Sequence, residues 1–553
     1  MTYEKEMPDY AMLPAKEPEE TVVIPVSAGA VYSPMQVTNI SEKPKMTIVV
    51  EEDVLVPDTK PDMRQILLID GSAHLASREI TQINKGDDYI NLSGEIELQT
   101  LYLPEKAECC DALISVQNRI PFKEQWHTTL EPGSILILEC RTEKIEYMVI
   151  NERKYRIKAT LAVTAKECGD HKIELFEGIS DEELQTRKER LEITNIALRK
   201  KDTLAIKENL TLKDGVRVEN ILKQNICVME NYKQATGEKI IINGFIFVNL
   251  LYTSVHDEGT EEDCCLHQSS ERVEFTQFIP LQMSGEASGC SVCFDSSDLK
   301  VKVVQDEEEG EVLRLEGELT TFVEVYVNTE REVIADAYHR QKDFVCDFKE
   351  ERSRVMLGSS TSETSLREII SPENDYGDID KVLYTSVEAA SCESFSQPGK
   401  IVTEGILLVS MICRAQKTQE EECGRLFSLK QEIPFRASAA MPQIEGGEIV
   451  KDCVCLKDFW AEKINGKQIE FNATISVNAE IMREVLFKVP MNPAFEQSMA
   501  EEGPCRMVVY VVRDGDSLWS IAKQFKTTVN CLQQINGIEA NELKPGNKLL
   551  ILK

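Results

Sequence analysis

Apolar and polar residues alternate along much of this chain with a period of two, the spacing that puts every second side chain on one face of an extended strand. Three stretches alternate in the same way: Tyr155, Ile157, Ala159 and Leu161; Leu313, Leu315, Gly317 and Leu319; Ile469, Phe471, Ala473 and Ile475. In each, the third inward position is small. Upstream lie three apolar runs of equal length, opening at Gly94, Gly244 and Gly405, each preceded by a short apolar segment at 63–67, 218–222 or 379–383. After each run comes Ile120-Pro121-Phe122, Ile279-Pro280-Leu281 or Ile433-Pro434-Phe435, where a missing amide predicts a strand end or a sheet edge. The four features recur in order at a period of roughly 155 to 160 residues. Units of that size exceed solenoid repeats and can each bury a core.

The expected architecture is mainly β, with three tandem antiparallel, sandwich-like repeat domains at 45–175, 176–335 and 336–488. Short helices are expected near 62–67 and 180–190, and charged connectors such as 181–190 should lie between repeats. Residues 1–44 carry Pro8, Pro14, Pro18, Pro25, Pro34 and Pro44 and read as an irregular N-terminal arm. A linker at 489–505, holding Pro490, Pro493, Gly503 and Pro504, predicts a C-terminal module that is tethered rather than packed in.

Over the last 48 residues the period changes. Val509 and Val511 read as a short strand leaving through Asp514-Gly515-Asp516, after which Asp516 or Ser517 caps a helix. Leu518, Ile521, Ala522 and Phe525 fall at i, i+3, i+4 and i+7, one apolar helical face. Thr528 is a second capping position, Leu532 and Ile535 give a second short helix its stripe, and Asn536-Gly537 stops it. Pro545-Gly546 suits a type II turn before a closing strand from Lys548. The order is β-α-α-β.

This segment resembles the LysM family, a small α+β fold whose modules bind N-acetylglucosamine glycans such as peptidoglycan in a shallow groove. The resemblance implies a groove of Gly515, Asp516, Ser517 and Leu518 facing Asn536, Gly537 and Ile538, with Trp519 beside it off the apolar stripe. Leu518 and Phe525 read as core. The pattern departs from the family at Ser517, often Thr, and at Leu552-Lys553, which lacks a frequent proline. The three repeats resemble the SPOCS family. Repeats of this kind followed by one LysM module resemble the SipL-like spore coat morphogenetic proteins of clostridia. That resemblance implies a non-enzymatic protein of the mother-cell cytosol at the forespore surface and spore coat. Its LysM module would contact the scaffold ATPase SpoIVA, and other coat proteins are further partners it allows.

Charge narrows the partners. The chain carries a formal charge of −33 over 553 residues, which opposes nucleic-acid binding. Residues 506–553 hold seven basic against four acidic residues and are +3, so the remainder is −36; a basic module on an acidic chain is suited to an acidic protein surface. Neither an export signal nor an apolar run long enough to span a membrane is expected. Seventeen scattered cysteines fit reduced thiols. Cys109-Cys110, Cys264-Cys265, Cys290-x-x-Cys293 and Cys453-x-Cys455 lack the paired spacing of a zinc site, so no metal is expected.

No cofactor or catalytic residue emerges either. A phosphate-cradling loop is missing, since Gly466-Lys467-Gln468 lacks both the upstream glycine and the hydroxyl. His74, His127, His171, His256, His267 and His339 are dispersed, and carboxylate pairs such as Glu51-Glu52 read as solvated faces.

Overall fold

The computed structural model describes residues 23–25, 30–81, 83, 89–106, 112–211, 218–254, 266–283, 286–306, 310–372, 376–417, 424–496, 507–539 and 543–552. Each repeat is a two-layer antiparallel sandwich, as the alternation predicts. Its inner sheet is three-stranded: Met63–Leu75, Tyr89–Pro104 and Ile114–His127 in the first repeat; Val218–Ala235, Lys239–Ser254 and Leu266–Pro280 in the second; Ile379–Gln397, Lys400–Ala415 and Leu426–Ala440 in the third. The facing sheet centres on one long strand, Lys154–Ile179, Gly310–His339 or Gln468–Glu496. Tyr155, Ile157, Ala159 and Leu161 and their counterparts Leu313, Leu315 and Leu319, then Ile469, Phe471, Ala473 and Ile475, are the buried face of these strands, and each repeat has its own core.

The expected helix at 62–67 is instead the start of a strand. Pairing shifts register between Met63 and Gln65 and again between Ile66 and Leu68; the same two shifts recur at Val218/Asn220 and Ile221/Lys223, and at Ile379/Lys381 and Val382/Tyr384. Two bulges three residues apart stretch the spacing of inward residues, so Met63, Ile66 and Leu67 are all buried at helix-like intervals. The segment 180–190 is likewise not helical. A turn bonded from Leu184 N to Asp181 O at 3.2 Å leads into strand Leu184–Leu210, whose charges pair across the ladder, Lys188 with Glu332 and Arg190 with Glu330.

Gly94, Gly244 and Gly405 sit inside their strands rather than opening them, each beneath an aromatic ring of the next strand. A Cβ there would lie 2.6 Å from Phe122, 2.6 Å from Phe275 or 2.7 Å from Phe435, closer than carbon atoms approach. Phe275, not Leu281, therefore matches Phe122 and Phe435, and Ile279-Pro280-Leu281 is not the counterpart of the other two proline motifs. Pro121 and Pro434 lie on edge strands, while Pro280 ends one.

The three repeats close on one another. Leu101, Leu251 and Ile412 hold the same place in their strands, seven residues past the glycine, and meet in one hydrophobic hub with Leu67, Leu222 and Leu383 and with Leu113, Leu266 and Leu426. Each inner sheet is thus buried on both faces, and the chain is a pseudo-threefold ring. Beyond the sandwiches the long strands continue as ribbons that pack together through Met35, Val37, Leu191, Ile193, Val333, Phe487 and Val489.

These ribbons overturn two expectations. Ala30–Glu42, read as part of an irregular arm, is a strand paired with Lys166–Ile179; Thr38 accepts a bond at its hydroxyl from Ile196 N, as Thr194 does from Met356 N, at 3.2 and 2.8 Å. Residues 489–496, read as the start of a linker, are the end of strand Gln468–Glu496, paired with Val23–Pro25 and with residues 343–349. Pro493 is tolerated because the ladder's bulge falls there, between Val345 and Asp347, while Pro490 lies in register opposite Phe348. The rest of that linker lies outside the described residues.

Candidate functional site

The C-terminal module is a two-stranded antiparallel sheet, Met507–Val511 with Lys548–Leu552, and two helices, α1 (Leu518–Phe525) and α2 (Val529–Asn536). Ser517, not Asp516, caps α1: its hydroxyl accepts from Ser520 N at 3.0 Å while Ser520 Oγ accepts from Ser517 N at 2.9 Å. Asp516 holds the preceding turn instead, accepting from Arg513 N and Tyr510 Oη at 2.7 and 2.8 Å. The backbone bond from Arg513, then that of Tyr510, hold its carboxyl below the usual range. Gly515 takes φ +85° in this turn. Thr528 caps α2, accepting from Cys531 N at 3.0 Å, and Gly537 ends it at φ +62°. Gly546, at φ +91° with Asn547 N bonded to Lys544 O at 3.1 Å, completes the type II turn.

Eight groove residues were expected, and they divide by role. Gly515, Ser517 and Gly537 are exposed. Leu518 is core, and Ile538 packs half-buried on the same cluster. Asn536 is a brace: its amide donates to Leu532 O and Leu550 O at 2.9 Å each, and its oxygen accepts from Leu550 N at 2.6 Å.

Trp519 turns away from the groove's service. With Lys523 and Lys526 it lies at i, i+4 and i+7, a second face of α1, and that face is seated on the repeat body. The Trp519 ring meets Tyr338 at 5.0 Å between centroids and 66°, and its Nε1 donates to Asp336 Oδ2 at 2.8 Å. Lys523 pairs with the other oxygen of Asp336 at 2.6 Å, Lys526 pairs with Asp343, and Tyr338 Oη donates to Thr527 O. Burial alone would raise the Asp336 carboxyl, but Lys523 and the indole outweigh it and hold it below its ordinary value; burial pushes the Tyr338 phenol up to about 12. The module is therefore packed in, correcting the tethered reading, and the acidic surface its charge suits is on its own chain. Asp336, Tyr338 and Asp343 were missed because they lie at a strand end with no periodic signal; the charge contrast between module and body was the only trace of them.

Among the described residues the thiols form no competing centre. Cys453 and Cys455 approach to 3.6 Å between sulfurs, yet among the described residues no cluster of three or more His, Cys, Asp or Glu side chains is placed to hold a metal ion. Cys109, Cys110, Cys264 and Cys265 lie outside the described residues. Burial pushes the Cys290 thiol up to about 11, away from nucleophilic use. His339 is buried against Asp181 at 3.1 Å, and His171 bonds Glu351 at 3.3 Å. No helix among the described residues is long and apolar enough to cross a membrane.

The fold defines a class: an antiparallel β-repeat body carrying a small βααβ module. Comparison with known families gives the particulars. Residues 510–552 match the LysM domain, and residues 217–304 match the SipL, SPOCS domain, which covers the inner sheet of the second repeat and the strands that follow it. The chain thus carries a SipL SPOCS domain and a C-terminal LysM domain. No solved structure matches.

Proposed function

We propose that this chain is a sporulation protein that acts without catalysis, as an adaptor in spore coat assembly in the mother cell. Its LysM module takes hold of the scaffold ATPase SpoIVA, and the three-repeat body attaches further coat material at the forespore surface. The observation that carries this reading is the union in one chain of a SipL SPOCS domain and a LysM module. The module's manner of packing supports a protein partner: an aromatic ring and two lysines already bind a Tyr and two carboxylates of the body, a chemistry common at protein interfaces. Gly515, Ser517 and Gly537 stay open to solvent in that docked state.

Affinity purification from sporulating cells tests the reading, comparing the full chain with one ending at Pro504. Recovery of SpoIVA with the full chain and its loss on truncation are expected. Peptidoglycan fragments recovered in its place, again only with the full chain, would make the module a glycan reader of a cell-wall or cortex system.

A further inference from the structure

We infer that Cys453 and Cys455 form a redox site, a dithiol that a low-molecular-weight disulfide oxidises to an intrastrand disulfide and that free thiol reopens. The two sulfurs lie 3.6 Å apart on strand Ile449–Asn465, where Cys453 pairs with Asn478 and Cys455 with Ser476 of the central strand. Val454 and Leu456 pack on the third repeat's core, so alternation turns both thiols to the other face. That face is bridged to the second repeat by Lys451, whose Nζ donates to Ser291 Oγ at 2.9 Å, and by Lys233 with Glu480 at 3.0 Å. The pair is not placed to hold a metal ion, but it is placed for thiol–disulfide exchange.

The other two repeats supply the comparison. Glu139, Cys293 and Cys453 pair with Thr164, Phe322 and Asn478, each seven residues past the matching Ile157, Leu315 or Phe471, so the three positions are equivalent. Two residues on stand Arg141, Asp295 and Cys455, paired with Ala162, Thr320 and Ser476. Only the third repeat sets two thiols side by side there. They are also unlike each other: Cys453 is exposed and Cys455 is buried. The hydrogen bond from Cys455, with the Arg141 charge behind it, holds the Cys453 thiol below its ordinary value, and the same bond pushes Cys455 up. Desolvation pushes Cys227 up to about 11 and raises Cys293 as well. Cys453 is thus the nucleophile of the group.

Two residues of extended strand span about 6.8 Å between Cα atoms, the far limit for a disulfide. Closure therefore draws the strand in, and the register shift between Leu456 and Asp458 gives it room. A bond closed under that tension is readily reduced, which suits a switch more than a staple. In the reaction the Cys453 thiolate attacks one sulfur of the small disulfide RSSR, forming a mixed disulfide and expelling RS−. Cys455 then loses its proton and attacks Cys453 Sγ, expelling the second RS−. Two protein thiols become one disulfide, and the small disulfide becomes two thiols that take up the two protons.

Incubating the folded full chain with glutathione disulfide, alkylating the remaining thiols and digesting with trypsin tests the site, which stands apart from the proposed partner. Cleavage after Lys451 and Lys457 releases both cysteines in one peptide, 452–457, with no other cysteine in it. The expected peptide is two hydrogens lighter and unalkylated, and reduced glutathione restores it. C455S should stop at a glutathione adduct on Cys453, formed at least about tenfold faster than any adduct on Cys455 in C453S; thermal melting of both variants shows that the fold is intact. A peptide that stays fully alkylated, equal adduct rates in the two variants, or Cys453 recovered in a bond to Cys227 or Cys293 would overturn the proposal.

Discussion

Glu324 shows how a single side chain joins two repeats. It lies on strand Gly310–His339 and takes Lys166 of the first repeat at 2.7 Å and Arg199 at 3.1 Å, with 13% of its side chain accessible. Burial alone would raise its carboxyl, but Lys166, with Lys451 and Arg199, overcomes this and holds it down to about 2. A carboxyl ordinarily at 4.5 and depressed in the folded state stabilises the fold above 4.5, and that contribution drains away as pH falls toward 2. At about 1.4 kcal/mol per unit this is on the order of 3 kcal/mol. Glu324→Gln should lower the unfolding free energy by about that amount at pH 7, leaving Lys166 unpaired, and should flatten the loss of stability between pH 4.5 and 2; urea titrations at pH 3, 5 and 7 measure both. Gly405→Ala should cost about 1–3 kcal/mol in the same assay, because the new methyl must displace the Phe435 ring.

At the scale of elements, the long strands were legible because alternation is a direct consequence of one buried face. The bulged strands were not: where two bulges disturb the ladder, Met63, Ile66 and Leu67 keep their burial but lose the period of two, and helix spacing is imitated. Helices α1 and α2 were legible to their caps, apart from the choice of Ser517 over Asp516, which turned on Asp516 being taken by Tyr510 and Arg513. What Trp519 touches could not be read, since the helix displays a second face whose partner lies some 180 residues earlier, at Asp336 and Tyr338. Lys523 and Lys526 are partly exposed and together contribute at most about 1–2 kcal/mol, so the Trp519 contact carries much of the docking. Trp519→Ala should release the module, measured as faster hydrogen exchange at Thr527 and its neighbours with the LysM core still protected. Protonating Asp336 weakens the same clasp: docking is retained above the carboxylate range and lost as pH falls through it, and acrylamide quenching of the indole should increase accordingly.

The whole molecule is a ring of three, and this was half visible. Repetition showed in the glycine-led runs, but the hub did not, because its residues are the second apolar face of strands already assigned one. The signal lay in the runs themselves: Phe245, Ile246, Phe247 and Val248, then Leu250, Leu251 and Tyr252, are apolar almost without interruption, as a strand covered on both sides must be. Leu251 is fully buried in the hub, so Leu251→Ala should cost about 2–5 kcal/mol and lower the melting of all three repeats together in calorimetry, whereas independent domains would show one early transition and two unchanged.

The claim on which the functional account rests is that the LysM module serves a protein and not a glycan. Equilibrium binding of the purified full chain to SpoIVA and, in parallel, to peptidoglycan sacculi measures it most directly, with substitutions at the exposed positions, Gly515→Asn and Gly537→Asn, which the left-handed backbone there tolerates, as the probes. The account predicts saturable binding to SpoIVA that falls at least tenfold in these variants, with no retention on sacculi. Binding to sacculi that the same variants abolish, with none to SpoIVA, would contradict it.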